Sequence, residues 1–231
     1  MSENSGMADR TLFFDGLAAD AASTWDAQIA AGRYLRGEIF RSAVVSSVPS
    51  GSYILDYGCG PGRISTMLAR QGFRVRGLDP SPRMIAMAKQ QPLDDLEVEF
   101  ETCAFFPDAL PAGAFDAIVC SSVIEYADDP EKFLQKFAAA LRPSGALIIS
   151  FANSPSLSRS WYKLRYPDHY RAARQHTWSG STFDALLKHS GFNPVQHPKY
   201  FHSFFDGAGP LRFLSSWRLI GGLGLVVAVK N

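Results

Sequence analysis

Tyr53-Ile54-Leu55-Asp56-Tyr57-Gly58-Cys59-Gly60-Pro61-Gly62-Arg63 is the stretch on which the reading of this chain turns. An apolar run with the look of a strand meets an acidic residue, then glycine at every second position, then an amphipathic segment. Glycine has no Cβ, so the backbone can turn sharply there and a ligand can lie against it. The helix expected from about Gly62 aims its unpaired N–H groups and positive dipole end into the same space. Strand, glycine turn and helix in that order build a nucleoside-type site at the carboxyl end of a parallel strand.

The spacing separates two kinds of nucleoside ligand. A dinucleotide fingerprint reads G-x-G-x-x-G and seats a pyrophosphate on the helix terminus. Here the glycines are 58, 60 and 62, and Arg63 stands where the third dinucleotide glycine would be. Asp56, two residues before the first glycine, would repel a phosphate and suit a cationic ligand. A nicotinamide cofactor is therefore disfavoured.

Outward from this loop, strands alternate with helices. Tyr53–Tyr57 is the first expected strand, and Ile64, Met67 and Leu68 mark a helix that Gly72 ends. Further strands are expected over Phe73–Leu78, Leu96–Glu101, Phe115–Cys120 and Ala146–Phe151. Helices are expected from Pro82 to about Gln90, and from Asp129-Pro130 with Phe133, Leu134, Phe137, Ala138 and Leu141 inward. The nearly continuous apolar run Phe115–Cys120 has the pattern of a strand covered on both faces. Such alternation predicts an α/β fold with a doubly wound, mostly parallel sheet.

Both flanks differ from this pattern. Residues 1–10 are polar and read as a tail with no secretory h-region. Leu17 to about Val48 reads as a helical cap, with Leu35, Ile39, Phe40, Ala43 and Val44 on a helical period, broken by Pro49-Ser50-Gly51. After Phe151 the alternation stops. Residues 152–178 gather Trp161, Tyr162, Tyr166, Tyr170 and Trp178 among Arg159, Lys163, Arg165, Arg171 and Arg174. Order resumes at the capping-box-like Ser181-x-x-Asp184, and 192–201 and 222–230 supply the last two strands. The chain thus divides into a cap over 1–48 and a main domain over 49–231, with 152–178 as an insertion on the acceptor side.

Bulk properties narrow the classes of partner. A length of 231 residues suits one large α/β domain with an appended cap. The formal charge of +1 means that nucleic-acid binding would need a local basic patch. Cys59, Cys103 and Cys120 lack C-x-x-C spacing, which predicts reduced thiols in the cytoplasm rather than a disulfide or zinc framework. Leu219–Val229, the most apolar stretch, has 11 residues with three glycines and is too short to span a bilayer.

Several motifs converge on one family. Asp56-Tyr57-Gly58-Cys59-Gly60-Pro61-Gly62 resembles D-x-G-C-G-x-G, the first motif of the class I S-adenosylmethionine-dependent methyltransferases. Leu110-Pro111-Ala112-Gly113-Ala114-Phe115-Asp116 is similar to their L-P-x-x-x-F-D entry into strand four. The segment from Cys120 through Glu125-Tyr126-Ala127-Asp128-Asp129-Pro130 resembles the following motif, often ending L-E-H-V-x-D-P. Leu141-Arg142-Pro143-Ser144-Gly145 resembles the L-x-P-G-G turn before strand five. The matches cover about residues 50–151 in order and look most like the quinone-biosynthesis and related small-molecule methyltransferases. The resemblance implies a Rossmann-like, seven-stranded sheet and S-adenosylmethionine as cofactor.

It also implies a set of cofactor contacts. Asp56, Gly58, Cys59, Gly60 and Gly62 form the loop. Asp79, at the end of strand two beside Pro80, can accept hydrogen bonds from both ribose hydroxyls; its bland alternative is to cap the helix from Pro82. Cys103 and Ala104 stand where many family members carry an acidic residue near adenine, with Met84 or Phe105 on the adenine face. Ser121 follows strand four. Arg33 and Arg36 either reach the methionine carboxylate or lie on a solvated helix face.

Methyl transfer from a sulfonium is an in-line displacement with an activated leaving group, so alignment and exclusion of water dominate. A base is needed only where the acceptor keeps its proton. Glu125 and His176 are the catalytic candidates, with His169 behind them; a helix-start carboxylate and a packing histidine are the alternatives. Tyr126 stands where many family members carry histidine. No cluster supports a metal. The aromatic insertion predicts a small phenol, catechol, quinone-like or secondary-metabolite acceptor, methylated on oxygen or nitrogen by a monomer or homodimer. An RNA (tRNA) methyltransferase and a non-catalytic nucleoside-binding partner remain as alternatives, with nucleic acid the lesser expectation. Phe201, Phe204, Phe205, Phe213, Leu214 and Trp217 form a second apolar cluster that is core, dimer contact or peripheral membrane contact.

Overall fold

The structure is a computed structural model that describes residues 15–16, 35–107, 110–165, 176–201, 213–214 and 216–231. Five strands run in parallel: β1 (Tyr53–Tyr57), β2 (Arg74–Asp79), β3 (Val98–Thr102), β4 (Phe115–Cys120) and β5 (Leu141–Ala152). Antiparallel to β5 lies β8 (Leu223–Lys230), whose far side is taken by β6 (Phe192–Pro194) and β7 (Lys199–Phe201). The spatial order is β3-β2-β1-β4-β5-β8-β6, with β7 also on β8. The seventh sheet position is therefore filled by one interrupted edge. Between the Phe192↔Lys230 and Lys199↔Leu225 pairings the edge holds two surplus residues. Pro194 and Pro198 flank that interruption, and proline has no N–H to give to a ladder.

Period-two alternation explains how both faces are buried. Leu55 and Tyr57 of β1, Leu147, Ile149 and Phe151 of β5, and Val226 and Ala228 of β8 point to one face. Helices α4 (Pro130–Ala140) and α6 (Gly180–His189) cover it with Phe133, Leu134, Phe137, Phe183 and Leu187. Ile54, Val119, Ile148, Leu225 and Val227 point to the other face, under Phe40 and Val44 of α1 (Leu35–Val45) and Ile64 and Leu68 of α2 (Arg63–Ala69). Helix α3 (Pro82–Lys89) adds Ile85 and Ala88 against Phe100 of the edge strand β3. That edge carries Glu97, Glu99 and Glu101, paired with Arg74 and Arg76 of β2, and such charges discourage edge-to-edge pairing.

Several local readings shift, among them β2 and β3, which start at Arg74 and Val98 rather than Phe73 and Leu96. β5 begins at Leu141 rather than Ala146: Phe115 pairs with Leu141, then Ala117 with Ala146, so Arg142–Gly145 bulge outward, with Ser144 at φ 61. The cap of α6 is Ser179, not Ser181; its hydroxyl accepts the Thr182 N–H at 3.2 Å. A helix, α5 (Leu157–Arg165), occupies the insertion where no periodic element was expected. Of the N-terminal helix expected over 17–48, the part up to residue 34 lies outside the described residues.

Sheet order reverses between β1 and β4. In open α/β sheets, ligands bind in a crevice at the carboxyl ends of the two strands that flank such a reversal.

Candidate functional site

The first wall of the crevice is the glycine turn after β1. The N–H groups of Gly58 and Cys59 both donate to the Leu78 carbonyl, at 2.7 and 3.0 Å, pulling the loop onto β2. Gly58, Gly60 and Gly62 all have positive φ, at 74, 55 and 75°, a region that L side chains rarely adopt. At Gly58 a Cβ would come 2.2 Å from Val123 Cγ2, and at Gly62 it would come 2.5 Å from Phe100 Cζ. At these two positions the absence of a Cβ thus makes room for the chain's own side chains. Gly60 donates its N–H to Asp79 Oδ2 at 2.8 Å. Gly62 starts α2 with no side-chain cap.

Two buried carboxylates lie at this wall. Asp56 is hydrogen-bonded through Oδ2 to the Ser65 hydroxyl at 2.6 Å, while its Oδ1 is buried with no hydrogen-bond partner. Burial raises its pKa to about 7; the Ser65 hydrogen bond opposes this and the Asp79 charge adds to it. Asp79 accepts from Gly60 N–H through one oxygen and from Ser81 N–H, at 2.9 Å, through the other. Burial raises its pKa to about 6, against the pull of those two N–H groups and with some repulsion from Asp15.

Asp79 does not cap α3. That role belongs to Ser81, whose hydroxyl accepts the Met84 N–H at 3.1 Å. The same hydroxyl donates to Asp15, which also accepts the Arg83 N–H at 3.3 Å. Sequence reasoning missed Asp15 because it sits outside every motif. Its only signal is an acidic residue able to complement the start of a distant helix.

The remaining cofactor-side candidates are placed as follows. Pro80 forms the half-buried turn and Met84 is buried in the first turn of α3. The Cys59 side chain packs with Ile85, Ala88 and Phe100, and burial pushes its thiol pKa well up. Cys103 donates its N–H to the Asp79 carbonyl at 3.1 Å, and burial raises its thiol pKa to about 11. The Tyr57 hydroxyl donates to the carbonyls of Ala104 and Phe105, at 2.8 and 3.0 Å, holding the segment after β3 in place. Phe105 belongs to the core beside Tyr57. Arg33 and His169 lie outside the described residues.

The opposite wall follows β4. Ser121 and Ser122 both have hydroxyls buried without a hydrogen-bond partner, and Ser122 is held at φ 58. Its N–H donates to Ser150 Oγ on β5 at 2.9 Å. Val123 then packs on Gly58, so the two walls touch. A 3-10 turn, Ile124–Tyr126, buries Glu125 completely. The Glu125 carbonyl accepts the His176 N–H at 3.1 Å, so the two catalytic candidates from distant parts of the sequence are neighbours. His176 stacks on Trp178 with ring centroids 5.6 Å apart, and Trp178 meets Phe183 edge-on. Trp178 pairs with the end of β5 through Ala152 and Ser154. Tyr126 is buried in the core. Among the described residues no group of side chains could hold a metal ion.

A sheet that reverses order beside a glycine turn, with a carboxylate at the end of its second strand, defines a Rossmann-like nucleoside-binding class. Residues 33–197 match the methyltransferase-domain family, and the chain belongs to that family. It is 31% identical over 181 residues to the human mitochondrial ubiquinone biosynthesis O-methyltransferase, covering 69% of this chain and 48% of that protein. It is 33% identical over 107 residues to the ubiquinone biosynthesis O-methyltransferase of Xanthomonas axonopodis pv. citri, covering 46% and 45%. The chain thus spans just under half the length of these relatives. The magnesium protoporphyrin IX methyltransferase of Synechocystis, solved with bound SAH, superposes with TM-score 0.68 at 19% identity, covering 96% of this chain and 100% of that one. A TehB-like SAM-dependent methyltransferase of Corynebacterium glutamicum gives TM-score 0.64 at 24% identity, covering 94% and 99%. Those two likenesses establish the fold.

Proposed function

We propose that the chain is an S-adenosylmethionine-dependent methyltransferase acting on an oxygen or nitrogen of a small, aromatic or quinone-like acceptor. The observation that carries this reading is the Val123–Gly58 contact. It puts the carboxylate-bearing glycine turn and the Glu125–His176 wall on one crevice. Kinship with ubiquinone biosynthesis O-methyltransferases supports the acceptor class. Three free cysteines fit a reducing compartment, and the reaction is assigned to the cytoplasm on that ground.

The residues present fit the cofactor. The buried, unpartnered Asp56 Oδ1 is an acceptor that a cationic nucleoside would satisfy. Each Asp79 oxygen takes one backbone N–H in the structure and retains lone pairs for a ribose hydroxyl. Gly58, Cys59, Gly60 and Gly62 shape the turn, with Pro80, Met84, Cys103, Ala104 and Ser121 around it. When bound, the cofactor supplies a methyl group already activated on sulfur. The protein's task is then to align the acceptor, keep water out and manage one proton. Glu125 takes the acceptor's proton on its carboxylate, and the His176–Trp178 stack forms the apolar flank against which a planar acceptor lies.

Incubating extracts with the protein and isotopically labelled methyl donor, followed by mass spectrometry, tests the proposal. Label is expected in a small aromatic product. Label in the RNA fraction would replace the acceptor class. No label anywhere, with heat stability still raised by the donor, would leave a nucleoside-binding protein without turnover.

A further inference from the structure

Asp95, Ser122 and Ser144 are the non-glycine residues with positive φ among the described residues, at 62, 58 and 61°. Asp95, in a turn, and Ser144, in the β5 bulge, are exposed, so water satisfies their side chains. Ser122 differs from both. It is half-buried and follows β4 at the crevice, and its hydroxyl is shielded from solvent with no hydrogen-bond partner.

Two contacts hold the backbone in this conformation. The Ser122 N–H donates to Ser150 Oγ of β5 at 2.9 Å, and the next residue, Val123, sits on Gly58. Glycine would satisfy both contacts without strain. A serine that eases a turn does so through a local hydrogen bond of its hydroxyl, and this hydroxyl makes none. Strain fixed by the surroundings, joined to an unmade hydrogen bond, is the mark of a side chain kept for a ligand.

Sheet order selects that ligand. β4 stands between β1 and β5. Asp56 and Asp79, the carboxylates suited to a cationic nucleoside, lie at the ends of β1 and β2, on one side of β4. Ser122 is tied to β5 on the other side, in the turn that buries Glu125. It therefore belongs with the methyl acceptor rather than the cofactor.

We propose that the Ser122 hydroxyl donates a hydrogen bond to the acceptor atom that receives the methyl group, and that this atom is an oxygen. The inference rests on the reading of the crevice as a methyltransferase site and narrows its acceptor. The acceptor's proton goes to Glu125, and Ser122 keeps its own. The hydroxyl then stabilises the charge that the departing proton leaves behind. An oxygen has a lone pair for this bond besides the one that attacks, whereas a neutral amine has just one.

Transfer of label from methyl-labelled S-adenosylmethionine into the small-molecule fraction of an extract, over a dilution series of that fraction, tests the assignment. Ser122→Ala should lower the saturating rate by about 10- to 100-fold, the range for a hydrogen bond to a charged atom. Cofactor affinity by calorimetry should stay at the parental value. Ser122→Gly should lose the rate equally yet raise Tm, because glycine takes positive φ without strain. That variant also carries the test should Ser122→Ala fail to fold. Ser144→Gly, in the exposed bulge, should raise Tm and leave transfer as in the parent. Fragmentation of the product should place the label on oxygen. Parental rates in both Ser122 variants, cofactor affinity falling in step with the rate, or label on nitrogen would each overturn the inference alone. A parent that labels nothing in that fraction would remove the underlying reading and the inference with it.

Discussion

The two walls of the crevice are built by different means. The cofactor-side wall is assembled from consecutive pieces of chain: β1, the glycine turn, α2, β2 and the first turn of α3. Its ties are short in sequence, such as Asp79 to Gly60 and Ser81, and Asp56 to Ser65. The acceptor-side wall collects the turn after β4, the end of β5, the strip 176–178 and residues 218–222 from separate regions. A wall made from neighbours leaves a motif in the sequence, whereas one made from distant segments leaves only scattered residues. The two walls meet where Val123 is seated on Gly58.

That junction is where the comparison breaks most readily. Gly58→Val would need a branched side chain at φ 74 in space held by Val123. It should cost about 3 kcal/mol or more in chemical denaturation, and abolish cofactor binding, because strain and overpacking add. Normal stability would show that the walls are not locked together.

Next in size, Glu125→Gln should reduce the turnover number by about 10²-fold or more, the scale of general-base catalysis, while cofactor affinity measured by calorimetry stays unchanged. Equal losses in both would move Glu125 from the acceptor wall to the cofactor wall. Asp79→Ala should do the reverse, weakening cofactor affinity by about 1.5–3 kcal/mol through lost charge-assisted hydrogen bonds. Calorimetry that finds unaltered affinity would take Asp79 out of the site.

Acidity offers a subtler contrast. Burial holds the pKa of Asp56 at about 7 and that of Asp79 at about 6, both above the ordinary carboxyl value. The native state therefore binds these protons more tightly than the unfolded chain. Their stabilising contribution is complete below the ordinary carboxyl range and is lost as pH rises through about 6 and 7. A cationic ligand wants the ionised forms, so its affinity should move the opposite way. Between pH 8 and about 5.5 the free protein should gain in Tm while cofactor affinity falls, and Asp56→Asn should flatten both trends. Parallel movement of the two quantities would contradict the placement of the carboxylates.

The smallest effect expected is that of Asp15→Ala. Loss of its links to Ser81 and Arg83 should weaken cofactor binding by about 0.5–1.5 kcal/mol, as for a typical hydrogen bond. An unchanged titration would mean that the N-terminal segment has no part in the site.

Much of the fold was legible in the residues because burial imposes periods of two and 3.6. Tyr53–Tyr57 and Phe115–Cys120 could be bounded to the residue, since each is an apolar run between turn-forming neighbours. α5 escaped notice because its apolar stripe faces outward, so no inward period marks it beyond three large residues. Ser181 misled as a cap because three hydroxyl residues, Ser179, Ser181 and Thr182, compete within one turn, and only backbone geometry selects Ser179. In the site itself, the tertiary structure adds a second demand on Gly58 and Gly62: a Cβ there would meet Val123 or Phe100.

From its order of residues alone this chain carries a strand, a glycine turn, a helix and a second carboxylate, because backbone sterics and hydrogen bonding act over a few residues. The family and its cofactor chemistry follow from that local record. Only the folded sheet decides that Glu125 meets His176, that Asp15 reaches Ser81, and that Asp56 sits sealed with one oxygen unsatisfied. Those relations depend on burial and on contacts across many intervening residues, and local geometry has no means of encoding them.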